Sequence, residues 1–123
     1  MKLGLLGFPI SHSHSPKLYR NILGAELESY KFLELEDPAD IPTLDELKLN
    51  FDGLNITSPH KKHFFSKVII DSLITKEIQA INTLSFNQGK VYGINTDVIA
   101  VEMILQDFKV KFGAINLKIL GSG

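Results

Sequence analysis

The sequence predicts an α/β domain: a mixed, mainly parallel sheet with helices on both faces. Three observations predict it. Apolar runs of strand length alternate with segments of helical periodicity, the signature of a sheet layered with helices. Two strand-like runs flank Asn87-Gln88-Gly89, a loop whose glycine signals a β-hairpin and hence an antiparallel pair within the sheet. Polar motifs stand at the ends of the apolar runs, where α/β proteins build their sites.

Lys2 to Gly7 is an apolar run and reads as the first strand. Phe8 to Pro16 is a loop rich in Ser, His and Pro. Ser15-Pro16 marks a helix start, with serine as N-cap and proline at the first helical position. Leu18, Tyr19, Ile22 and Leu23 then fall on one helical face, and Gly24 ends it. Tyr30 to Leu35 alternates apolar and charged residues as a strand. Asp37-Pro38 opens a second helical region, Ile41 to Leu49, and Phe51 to Ile56 is a third strand. Pro59 to Phe65 and Asp71 to Ala80 predict two more helices. Ile81 to Phe86 and Lys90 to Ile94 are the hairpin strands. Thr96 caps, and Asp97 opens, an amphipathic helix carrying Val98, Val101, Ile104, Leu105 and Phe108. Leu117 to Leu120 predicts a last strand, which runs into Gly121-Ser122-Gly123.

At 123 residues the chain has room for one core. A formal net charge of −1 gives no electrostatic case for nucleic acid or an anionic membrane as partner. No apolar run reaches membrane-spanning length, and the N-terminus lacks the apolar stretch and cleavage site of a signal peptide. Cysteine is absent, which excludes disulfides and thiolate metal sites. A cytoplasmic protein is expected. His12 and His14 share a loop without acidic partners at ligand spacing, so no metal site is expected.

The polar motifs supply hydroxyls, amides, a lysine and an aspartate, an inventory for a small, hydroxyl-rich, acidic ligand. Ser13 and Ser15 can donate to a carboxylate, and Ser15 can equally cap its helix. Lys61 lies in the basic run His60-Lys61-Lys62-His63 and reads either as a solvated lysine or as part of an anion site. At the start of a helix it would also face the positive end of the helix dipole, a position with no structural benefit for a lysine. Asp97 fits a first-turn helix acid or a partner for that lysine. Asn82 and Asn95 can donate and accept at once, which suits vicinal hydroxyls, and Thr57 adds another hydroxyl. Asn82 and Thr57 are the stronger ligand candidates, and Asn95 the weaker. Tyr19 and Phe8 are candidate pocket walls or core residues.

The order of these motifs resembles the substrate-binding domain of the shikimate dehydrogenase family. Gly7-Phe8-Pro9-Ile10-Ser11-His12-Ser13-His14-Ser15-Pro16 resembles its opening loop, and Asn55-Ile56-Thr57-Ser58-Pro59-His60-Lys61 its N-V-T-x-P-x-K motif. Ala80-Ile81-Asn82-Thr83-Leu84 resembles A-V-N-T-L, and Gly93-Ile94-Asn95-Thr96-Asp97 resembles G-x-N-T-D. The resemblance covers essentially the whole chain. It implies NADP-dependent interconversion of 3-dehydroshikimate and shikimate, a step toward chorismate and the aromatic amino acids. It makes Lys61 and Asp97 the catalytic pair. Ser13, Ser15, Thr57, Asn82, Lys61 and Asp97 become substrate contacts, with the serines on the carboxylate.

By the same resemblance, residues 1–116 form the substrate domain and residues 117–123 begin a truncated NADP-binding Rossmann domain. Gly121, Ser122 and Gly123 would be its first cofactor contacts. A dehydrogenase acting on quinate as well, or a stand-alone binding module for a polyhydroxy acid, remain alternatives. A homodimer through apolar surface is allowed. Gln79 stands where the family usually has glycine, His60 where an apolar aromatic is common, and Lys62-His63 where acidic or neutral residues are usual.

Overall fold

The computed structural model describes residues 1–114, 116–118 and 120. Among the described residues five strands are present: β1 (Lys2–Gly7), β2 (Ser29–Glu34), β3 (Gly53–Ile56), β4 (Thr83–Asn87) and β5 (Lys90–Ile94). Four α-helices accompany them: α1 (Ser15–Leu23), α2 (Leu44–Asn50), α3 (Leu73–Ile78) and α4 (Thr96–Phe112). The sheet order is β2-β1-β3-β4-β5. β1 pairs in parallel with β2 and β3, while β4 is antiparallel to both β3 and β5. All strands except β4 therefore run the same way, so the sheet is mixed and mainly parallel, as expected.

Side chains alternate across a strand, so the register sorts them by face. One face carries Leu6, Leu54, Ile56 and Leu84, which pack with Leu47 of α2, Phe51, Phe64 and Ile81 into the main core. The other carries Tyr30, Asn55 and Thr83. Leu3 pairs with Tyr30, Leu5 with Asn55, and Asn55 with Thr83. On that face the Tyr19 ring of α1 lies 5.3 Å from the Tyr30 ring, so helices cover both sides. β1 is buried on both faces, and two of its positions tolerate only glycine. A Cβ at Gly4 would sit 2.7 Å from the Phe51 ring. One at Gly7 would collide with the Thr57 methyl group, so glycine lets the Thr57 loop close against the end of β1.

Several elements differ from the sequence expectation. Ser15 is the first residue of α1 rather than its N-cap; His14 holds that position and makes no side-chain cap. The apolar side of α1 is not core, since Leu18 and Ile22 are exposed. Asp37 caps a short 3-10 turn at Pro38–Asp40, and α2 starts later, behind Thr43. There Thr43 and Glu46 form a reciprocal capping box, a stronger start signal than the upstream proline. No α-helix forms over Pro59 to Phe65. Its backbone closes local turns, His60 N–H to the Thr57 carbonyl and His63 N–H to the His60 carbonyl, before a 3-10 turn at Phe65–Lys67.

The hairpin loop has two residues, not three. Asn87 pairs with Lys90, and Gln88 and Gly89 both take positive φ (49° and 76°), the twist that matches two-residue hairpins. α4 is capped by Asn95, whose Oδ1 accepts from Val98 N–H at 3.3 Å, and not by Thr96. Its expected apolar stripe is not buried: Val101, Ile104 and Phe108 are each about half exposed. Leu117, Lys118 and Leu120 are not in a strand, while Ile119 and Gly121 to Gly123 lie outside the described residues. Among the described residues no helix is long and apolar enough to cross a membrane.

Candidate functional site

The sheet topology gathers the polar motifs. β1 and β3 run parallel, so the loops following them open at one end of the sheet. β4 runs the opposite way and brings its entry residues, Ile81 and Asn82, to that same end. β5 reverses again and delivers Asn95, Thr96 and Asp97 there. Ligands of α/β sheets bind at such carboxyl ends. A cleft of about 250 Å³ opens at this point, lined by Ser15, Leu18, Tyr19, Asn55, Ile56, Thr57, Lys61, Asn82, Thr96 and Asp97. The groove between α3 and α4 is larger, about 450 Å³, but is lined mostly by aliphatic side chains. Convergent polar groups, not size, select the site.

Lys61 Nζ meets Asp97 Oδ2 at 2.6 Å. The lysine rides on a loop tied down at three points. Thr57 N–H bonds the Leu6 carbonyl at 2.8 Å, Ile81 N–H bonds the Lys61 carbonyl at 2.8 Å, and the His60 ring bonds the Leu35 carbonyl at 2.7 Å. His60 is 2 % exposed, which explains how this position can hold a ring: it is a buried slot whose far end offers one carbonyl acceptor. The helix-dipole penalty expected at Lys61 does not arise, because no helix starts there. Asp97 sits in the first turn of α4, where a carboxylate suits the helix dipole.

Asn82 is buried and heavily used. Its Oδ1 accepts from Thr96 N–H at 2.9 Å and from the Thr83 hydroxyl at 3.0 Å, and its Nδ2 donates to Thr96 Oγ1 at 2.9 Å. A carboxamide has two N–H donors, so one of them is left over for a ligand. Ser13 Oγ donates to Ser15 Oγ at 3.0 Å and accepts from Ser15 N–H at 3.2 Å. Ser13 itself lines an adjoining recess with Pro9, Ile10 and His12, which shares Ser15 and Thr57 with the main cleft. Among the described residues the Thr57 hydroxyl has no protein partner.

Ser15, Thr57, Lys61, Asn82 and Asp97 thus line one cleft, with Ser13 beside it. Asn95 is not in it. Its amide caps α4 and donates to the Ala80 carbonyl at 3.1 Å, a structural use. Tyr19 walls the cleft, whereas Phe8 faces a recess beside Glu34 to Asp40. Asn55 and Thr96 are lining residues that sequence reading did not assign. Asn55 could have been found, since strand alternation places it and Thr57 on the same side of Ile56. Thr96 shows only through its tertiary bonds to Asn82. Beneath Asn55, burial pushes the Tyr30 phenol up to about 12, against a smaller lowering by the Ser15 side chain.

A family model, the shikimate dehydrogenase substrate binding domain, matches residues 5–84. A shikimate dehydrogenase (NADP(+)) of Ignicoccus hospitalis is 30 % identical over 132 residues, covering 100 % of this chain and 47 % of the relative. The crystal structure of shikimate dehydrogenase 1 from Peptoclostridium difficile superposes with a TM-score of 0.71 at 32 % identity, over 85 % of this chain and 40 % of that one. A Thermus thermophilus shikimate 5-dehydrogenase in complex with shikimate gives a TM-score of 0.70 at 28 % identity, over 85 % of this chain and 41 % of that one. The chain spans about half the length of the relatives it matches. With the family model matched along both β1 and β3 and the same fold in solved relatives, this chain belongs to the shikimate dehydrogenase substrate-binding domain family.

Proposed function

We propose that this chain is the substrate-binding half of an NADP-dependent shikimate dehydrogenase that interconverts 3-dehydroshikimate and shikimate. The observation that carries the reading is the Lys61–Asp97 pair at 2.6 Å, set in a cleft that also presents Ser15, Thr57 and Asn82. A ring acid with several hydroxyls matches that set. Ser13 and Ser15 bind the carboxylate as neutral donors, and Thr57 and Asn82 bind ring hydroxyls. Lys61 and Asp97 contact the hydroxyl that becomes the ketone. Oxidising a secondary alcohol removes a hydride from carbon and a proton from oxygen, and this pair handles the proton.

The hydride needs a carrier. Among the described residues no α-helix opens on a glycine-rich loop of the kind that cradles a dinucleotide's phosphates. We assign NADP, which appears in the relatives' names, to the part of the longer protein outside this chain. Residues 1–116 are then the substrate domain, and residues 117–123 lead into the cofactor domain with Gly121, Ser122 and Gly123 at its start. We place the protein in the cytoplasm, acting on a small molecule without nucleic acid or membrane, with a homodimer through apolar surface allowed.

The test is an NMR titration of the chain with shikimate. Saturable shifts confined to amides near Ser13, Ser15, Thr57, Lys61, Asn82 and Asp97 are expected. A folded sample whose spectrum does not respond at all would overturn the reading. The chain alone is expected to show no NADPH-dependent turnover.

A further inference from the structure

Tyr30 does not line the cleft, yet its hydroxyl ends a chain of hydrogen bonds that reaches the catalytic end of the sheet. Tyr30 Oη donates to Asn55 Oδ1 at 3.3 Å, and Asn55 Nδ2 donates to Thr83 Oγ1 at 3.3 Å. Thr83 Oγ1 donates to Asn82 Oδ1 at 3.0 Å, where Thr96 N–H also donates at 2.9 Å. The chain crosses from β2 over β1 to β3 and β4, and ends one residue before Asp97. Two of its bonds, at 3.3 Å each, are longer than the usual range and correspondingly weak.

A carboxamide can turn by half a revolution with little change in shape, so its neighbours decide which end donates. For Asn82 the decision is made by the Thr96 backbone N–H, which can only donate. That keeps Asn82 Oδ1 an acceptor and draws the Thr83 proton toward it, so Thr83 Oγ1 is free to accept from Asn55. With its own proton committed to Asn82, Thr83 Oγ1 draws Asn55 Nδ2 toward it, and on the far side the Tyr30 phenol donates to the Asn55 Oδ1 that this orientation leaves there. Asn55 then has one N–H on Thr83 and one without a partner among the described residues, and Asn55 lines the cleft.

We propose that Tyr30 is a positioning residue: its hydroxyl occupies the Asn55 carbonyl while Thr83 holds one amide N–H, so that the other amide N–H, not the carbonyl, is offered to an acceptor on the ligand. The proposal rests on the reading of the cleft as a polyhydroxy-acid site. Tyr30→Phe removes one oxygen and keeps the ring that packs against Tyr19, so the fold is retained.

The test combines shikimate binding with the side-chain amide signals of Asn55 in the ligand-free chain. In Tyr30→Phe those signals shift and broaden while the backbone spectrum stays close to wild type. The dissociation constant for shikimate rises about fivefold to tenfold, the scale of one lost orienting hydrogen bond. Asn55→Ala weakens binding by a similar factor, and the double variant is no weaker than Asn55→Ala alone, because Tyr30 acts through Asn55. An unchanged dissociation constant in Tyr30→Phe, or additive losses in the double variant, would overturn the role of Tyr30. Failure of the wild-type chain to bind shikimate is a separate result and removes the site reading itself.

Discussion

Lys61 and Asp97 meet at 2.6 Å although 36 residues separate them in the chain. One arrives from the loop after β3 and the other from the first turn of α4. Both side chains keep solvent access, 33 % and 61 % respectively. A partly exposed ion pair of this kind contributes about 0–1 kcal/mol to stability, so the fold gains little from holding it.

Function and stability should therefore separate at this pair. Under the proposed function, in the dehydrogenase of which this chain would be the substrate-binding half, Lys61→Met or Asp97→Asn is expected to lower kcat by about a hundredfold or more, the scale of positioned proton transfer. Unfolding free energy should stay within about 1 kcal/mol of wild type. Steady-state kinetics beside chemical denaturation measures both, and a variant that keeps full turnover would remove that residue from the catalytic pair.

Tyr30 sets an alkaline limit. Its phenol is pushed from 10.0 up to about 12, chiefly by burial, so the native state holds a proton that the unfolded chain has already released. The stability this group contributes is complete below pH 10 and is lost as pH rises toward 12. Denaturation curves should show that loss in wild type and a smaller one in Tyr30→Phe. Tyrosinate absorbance should show one late-titrating phenol that the variant lacks.

His63 behaves in the opposite sense. Burial lowers its pKa first, and Lys67, whose Nζ lies 3.4 Å from His63 Nε2, and His60 add to that. The native imidazole resists protonation, so its contribution is present above the unfolded-state pKa of about 6.5 and is lost as pH falls through the lower native value. Lys67→Met should raise the His63 pKa only part of the way, because burial remains. NMR titration of the imidazole reads this directly, and no upward movement would mean that Lys67 is not a significant neighbour.

Gln79 caps α3 with φ 56° and ψ 34°, the left-handed conformation that costs a side chain about 1–2 kcal/mol and glycine nothing. Glycine returns part of that gain through the entropy of the unfolded chain. Gln79→Gly is expected to stabilise the chain by up to about 1 kcal/mol, seen as a higher denaturation midpoint with an unchanged slope. A destabilised variant would show that the Gln79 side chain makes contacts worth more than the strain.

Much of the fold was legible because its signals are local. Lys2–Gly7 and Lys90–Ile94 are the strands the apolar runs mark out, and Gly24 ends α1 as its backbone freedom allows. The misreadings share a cause. Pro59 to Phe65 has helical spacing, but the Thr57 N–H ahead of it is bonded to β1, its Lys61 carbonyl accepts from Ile81 N–H and its His60 ring bonds the Leu35 carbonyl, none of which the local pattern contains. Ser15 and Thr96 look like caps, yet Thr96 is claimed by Asn82, and Asn95 takes its place.

By itself the sequence determined the alternation of strands and helices, the hairpin, the chemistry of the site residues and the family those motifs resemble. Residue type and short spacing fix these. The tertiary structure alone decided that β4 reverses against β3, and this reversal brings Asn82 and Asp97 to the end of the sheet where Lys61 waits. It also divided the asparagines, giving Asn95 to a helix cap and leaving Asn82 and Asn55 at the cleft. An amide is equally suited to a cap, a sheet or a ligand, and only the neighbours supplied by distant segments determine which of these it serves.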